Sequence, residues 1–132
     1  MIVYTDSTVG VEPGQLDGFF VGWLKPPSPE RHLEILRGSH AVVLAREEGK
    51  VVGFVTAVGD GVLSAHIPLL EVLPDYQGQG IGSELMRRML EALGGLYMVD
   101  LCCDADLEPF YARLGLRTWG RGMGIRNYEA AG

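Results

Sequence analysis

The chain has 132 residues, of which 47% are apolar, the length of one domain with enough apolar material for a core. Its 11 basic and 17 acidic residues leave a net charge of −6, which argues against a general nucleic-acid binder, because that role needs a basic face. No apolar run reaches the roughly 18 residues of a membrane span.

Met1 to Thr5 reads as a short apolar strand. The opening residues lack a basic region followed by a long apolar run, so no signal peptide is expected. Asp6 to Gly14 is turn-like. Leu16, Phe19, Phe20, Trp23 and Leu24 fall at helical spacing, and the Lys25-Pro26-Pro27-Ser28-Pro29 run ends that helix. Ser28 or Pro29 opens a second helix carrying Glu30, Leu33, Ile35 and Leu36, which Gly38 closes. Residues 1–39 thus form a helical block, read as a lid or wall on the substrate side. Ala41 to Arg46 and Val51 to Val58 are β-branched runs joined by a hairpin turn at Glu47-Glu48-Gly49-Lys50. After a turn at Asp60-Gly61, Val62 to Leu73 completes a three-stranded meander.

That third strand changes parity. Leu63, Ala65, Ile67 and Leu69 are apolar at odd positions, then Leu70 and Val72 at even ones. One extra residue in the strand, a β-bulge, produces this pattern, and so does burial on both faces. Pro68 cannot donate to a ladder and favours the bulge. A bulged strand leaving its partner opens a cleft in the sheet. The loop that follows alternates Gly78, Gly80 and Gly82 with Gln79 and Ile81. It reads either as a glycine-rich turn or as an anion site, with backbone amides and a helix N-terminus aimed at a phosphate. Ile81, Leu85, Met86, Met89, Leu90 and Leu93 make one helical stripe.

Tyr97 to Cys103 is the next strand, and the helical crossover before it implies parallel pairing. Adjacent Cys102 and Cys103 point to opposite faces, so a disulfide between them is not expected. No metal-ligand spacing is present. Reduced core thiols and a cytoplasmic protein are the expectation. Asp104 and Asp106 cap a helix carrying Leu107, Phe110, Tyr111 and Leu114. Arg117 to Trp119 and Met123 to Tyr128 read as two short terminal strands.

A dinucleotide fold has the right local order, and Asp100 follows Gly80 at the expected interval. The glycines run G-x-G-x-G rather than G-x-G-x-x-G, however, and too little chain remains for a doubly wound sheet. A Walker loop fails for lack of Gly-Lys-Ser/Thr. By contrast, Val72-Leu73-Pro74-Asp75-Tyr76-Gln77-Gly78-Gln79-Gly80-Ile81-Gly82 resembles the acetyl-CoA segment of the GNAT superfamily of N-acetyltransferases. Gln77, Gly80 and Gly82 match its Arg/Gln-x-x-Gly-x-Gly/Ala pattern. Pro109-Phe110-Tyr111-Ala112-Arg113-Leu114-Gly115-Leu116 resembles that family's Phe-Tyr-x-x-x-Gly-Phe block. The resemblance spans residues 40–128. Gln77 stands where many members have Arg, and Leu116 where Phe is usual.

The resemblance implies a mixed α/β (α+β) single domain over 1–132, with an antiparallel meander leading into splayed parallel strands and flanking helices. It implies acetyl-CoA as co-substrate, with no metal. The amides of Gln77, Gly78, Gln79, Gly80, Ile81, Gly82 and Ser83 would hold the pyrophosphate. The pantetheine arm would pair near Val72 and Leu73, where a backbone N–H polarises the thioester carbonyl. Tyr111 matches the acid that protonates the departing thiolate, although its stripe position equally suits a core tyrosine. Asp104 lies near the cofactor by analogy, and a helix cap explains it as well. His66 is a candidate base, titrating near neutral pH, or else an ordinary solvent-facing histidine. Glu71 is the rival base, or a structural partner for the N-terminal helices. His32 and His40 look unremarkable. The expected reaction is direct acetyl transfer to a primary amine without a covalent intermediate; the alternative is a non-catalytic acyl-CoA sensor. The partner is an amine, small or on a protein, with no nucleic acid or membrane. Homodimerisation through the C-terminal strands is common among such proteins.

Overall fold

The computed structural model describes residues 1–132. Its sheet has five strands in sequential order, β1 (Val3–Thr5), β2 (Ala41–Glu47), β3 (Lys50–Gly59), β4 (Ser64–Val72) and β5 (Met98–Asp100). The first four pair antiparallel, and β5 joins β4 in parallel. Glu48 (φ 49°) and Gly49 (φ 76°) form the two-residue turn between β2 and β3, the left-handed pair that matches strand twist.

β3 is the spine of the core, with Val51, Val52, Phe54, Val55, Thr56 and Ala57 all inaccessible to solvent. Alternation along the strand divides its neighbours between two faces. On one face, α2 (Ile81–Ala92) presses its stripe of Ile81, Leu85, Met86 and Met89 on the sheet. Position 53 is tightly packed: a Cβ on Gly53 would sit 3.1 Å from Leu85 Cδ1 and 3.3 Å from Ile81 Cγ2. On the other face, Phe54 meets the edges of Phe19 and His32. His32 belongs to α1 (Pro29–Gly38), which starts at Pro29 because Ser28 Oγ accepts a hydrogen bond from the Arg31 N–H (3.1 Å).

Four expected elements differ. Leu16 to Leu24 is no helix: a 3₁₀ turn covers Pro13–Leu16, and Gly18 (φ 94°), Phe20 (φ 62°) and Gly22 (φ 83°) then turn the chain left-handed. The apolar spacing there reflects burial of Leu16, Phe19 and Phe20 by a looping segment. The block 1–39 therefore contains a single α-helix. Arg117–Trp119 and Met123–Tyr128 form no strands. Gly120, Gly122 and Gly124 share one parity, so a strand there would present one face without side chains to pack. Finally, the strand expected over Tyr97–Cys103 contracts to Met98–Asp100.

Candidate active site

The β-bulge expected from parity is present. Thr56 pairs with Leu69 and Val58 with His66, so Ala57 alone faces both Ile67 and Pro68. On the opposite edge, the β4–β5 ladder runs only from Ser64↔Met98 to His66↔Asp100. Beyond that pair the parallel strands part, leaving the C-terminal half of β4 joined to β3 alone. Leu73 donates its N–H to Val52 O (2.9 Å), on the β3 side. Successive amides in a strand point to opposite edges, so the Val72 N–H faces the gap. Leu73 has no free amide to offer a ligand, and its side chain is buried.

A 3₁₀ turn at Pro74–Tyr76 leads from β4 into the glycine loop. Gly78 (φ 79°) and Gly80 (φ 83°) are left-handed, and a Cβ on either would meet nothing within 4 Å. Glycine is required there for conformation, and the space above the loop is open. Gly80 caps α2, and Glu84 is the first residue to bond back along the helix, to Gly80 O (3.1 Å). The amides of Ile81, Gly82 and Ser83 therefore have no partner within the helix and sit at its positive end. The Ile81 side chain is buried, so only its amide can serve a ligand. The Gln77 side chain donates to Val72 O (3.0 Å), tying loop to strand. These groups fit the phosphates and extended arm of acetyl-CoA.

At the closed end of the gap stands His66, whose Nδ1 lies 2.6 Å from Asp100 Oδ1. His66, Asp100 and Tyr111 line one cleft of about 2010 Å³, together with Cys102 and Cys103. Tyr111 lies on α3 (Glu108–Ala112) and packs edge-on to Phe110 at 4.9 Å between ring centres. Burial raises its pKa, and the nearby Cys103 adds to the effect, so the phenol keeps its proton. Asp104 precedes the 3₁₀ turn at Ala105–Leu107, but its side chain caps nothing.

Glu71 is already engaged. Its carboxylate accepts the Phe20 N–H (2.8 Å) and the Val21 N–H (3.2 Å), clamping the N-terminal loop to β4. Its partner is thus a loop rather than a helix. Both cysteines are free and exposed, not core thiols, because the strand ends before them. Partial loss of hydration and the negative charges of Glu108 and Asp104 raise the Cys103 pKa, which disfavours a thiolate nucleophile. His32 is far from unremarkable: it is buried among Phe19, Phe20 and Phe54, and neither ring nitrogen has a partner. The pairing of Asp100 with His66 comes from register between two parallel strands and leaves no local signal in the sequence.

Residues 11–116 match the acetyltransferase (GNAT) family model. The chain is 51% identical to a candidate acetyltransferase of known structure from Deinococcus radiodurans R1, with a TM-score of 0.95 over 98% of this chain and 91% of that one. A GNAT family acetyltransferase from Streptococcus pneumoniae TIGR4 is similar at 32% identity and a TM-score of 0.79, over 96% of this chain and 98% of the other. The N-acetyltransferase ycf52 of Porphyra purpurea is 27% identical over 86% of this chain and 69% of its own length. The chain spans 58% and 57% of the ycf52 relatives from Pyropia yezoensis and Gracilaria tenuistipitata.

Proposed function

Because this chain belongs to the GNAT family of acetyltransferases, whose membership implies acyl transfer from acetyl-CoA, we propose that it acetylates a primary amine by direct attack. The observation that carries this reading is the parting of β4 and β5 just beyond His66, a residue that also lines the C-terminal cleft holding Tyr111. From Val72 back to His66 the strand covers about 20 Å, so an anion site at the loop and a reaction centre at the closed end suit a long donor arm.

The acetyl donor supplies a thioester. Glycine-loop and first-turn amides hold its phosphates, and the Val72 N–H, which faces the gap, pairs with its extended arm. His66 takes the proton of the attacking amine as the N–C bond forms. Tyr111 gives its proton to the sulfur as the C–S bond breaks, consistent with a phenol that burial keeps protonated. His66 is preferred to Glu71 as the base because the Glu71 oxygens already accept two backbone amides. A thiol nucleophile is disfavoured by the raised Cys103 pKa.

The test is thiol release from acetyl-CoA with a panel of tryptamine, spermidine, kanamycin and a lysine peptide. Release that depends on one of these amines supports the reading. Acetyl-CoA at a hundred times its Kd should stabilise the fold by about 2.7 kcal/mol. That stabilisation with no thiol release from any amine would instead identify an acyl-CoA sensor.

A further inference from the structure

We propose that Asp100 is a positioning residue that fixes the ring of His66 for proton transfer, so that base and carboxylate work as a pair. This rests on the acetyl-transfer reading above. His66 and Asp100 are register partners on neighbouring parallel strands, the final pair before the strands part. The 2.6 Å contact joins Nδ1 to Oδ1, and neither side chain makes any other hydrogen bond. A carboxylate only accepts, so the shared hydrogen belongs to Nδ1 and the lone pair is left on Nε2. Which ring nitrogen is free to act is set by the bond the other makes.

Both side chains remain accessible, at 45% and 37% of full exposure, so an amine can reach the ring. A pair this exposed contributes little to stability. The backbone beneath is held tightly. A Cβ on Gly59 would lie 2.4 Å from Ser64 O and 2.9 Å from Ala65 Cα, so β3 abuts β4 just before His66. When His66 accepts the proton of the amine, the new imidazolium faces the Asp100 carboxylate and no charge is left unpaired.

The experiment compares D100N, H66A and the double variant on the intact chain, using the panel amine that gives thiol release. H66A should lose about 10²-fold or more in kcat, the scale of a general base. D100N should lose about ten-fold, a part of that contribution, with KM for acetyl-CoA within about two-fold of wild type. In the H66A background D100N should cost nothing more. Nitrogen-15 NMR of the His66 ring should show the hydrogen on Nδ1 in the wild type and a shift toward Nε2 in D100A. Equal losses from D100N with and without His66, or an unchanged ring tautomer in D100A, would overturn the proposal. Full activity in D100N would overturn it while leaving the acetyl-transfer reading intact. A wild-type chain that releases no thiol with any panel amine would overturn both.

Discussion

The two edges of β4 differ in kind. Toward β3, the strand is paired along its length and rests on a spine from Val51 to Ala57 in which nearly every side chain is sealed from solvent. Toward β5, only three residue pairs hold, and no residue after Leu93 is fully buried. Stability is concentrated on one side of the strand, and the proposed chemistry on the other. The bulge at Ile67–Pro68 lets a single strand do both, because it marks where β4 keeps its inner partner and loses its outer one. The open edge is left free for a long ligand because the inner edge carries most of the packing.

The contrast can be broken from the stable side first. Phe54→Ala removes the ring against which Phe19, Phe20 and His32 pack. It should cost about 3–5 kcal/mol in urea unfolding. A loss below about 1 kcal/mol would show that the inner edge is not where stability lies.

His32 sharpens the same side through pH. Burial lowers its pKa from 6.5 to about 4. Its unfolded counterpart takes up a proton first as the pH falls. Its share of the stability is therefore whole above about pH 6.5, declines between 6.5 and 4, and is gone below that. The shift corresponds to about 3 kcal/mol. His32→Leu should flatten the acid limb of stability between pH 7 and 4 by a comparable amount, read from urea midpoints. An unaltered acid limb would mean that the ring charges without penalty.

Two smaller effects probe the boundary between the edges. Gly80→Ala forces a side chain into a left-handed conformation with φ of 83°, at a cost of about 1–2 kcal/mol. The added methyl group projects into the open space above the loop, so acetyl-CoA affinity should fall while the meander core stays folded. Ser28→Ala removes the cap of α1, away from the cleft. It should cost about 1 kcal/mol and leave acetyl-CoA binding as it was. If the Gly80 variant bound normally, or the Ser28 variant did not, the division between edges would be misplaced.

What the sequence made legible follows the same line. The bulge could be read because Pro68 and the parity change from Leu69 to Leu70 are local marks. The Glu48-Gly49 turn and the stripe of α2 were legible for the same reason. Leu16 to Leu24 misled, since a looping segment that buries alternate apolar groups can imitate helical spacing, and the glycines at 18 and 22 carried the better signal. The terminal strands misled because strand propensity counts only when a partner edge accepts it. The pairing of His66 with Asp100 and the clamp of Glu71 on the Phe20 and Val21 amides are products of register and docking, with distant residues brought together by tertiary structure.

The central claim is that the open edge of β4 is a reaction centre and not merely a binding groove. The most direct measurement is the turnover of Tyr111→Phe, with acetyl-CoA affinity measured on the same sample. Tyr111→Phe removes one hydroxyl and keeps the ring packed on Phe110. The account predicts a fall in kcat of about 10²-fold or more with the Kd for acetyl-CoA unchanged. Undiminished turnover in that variant would contradict it.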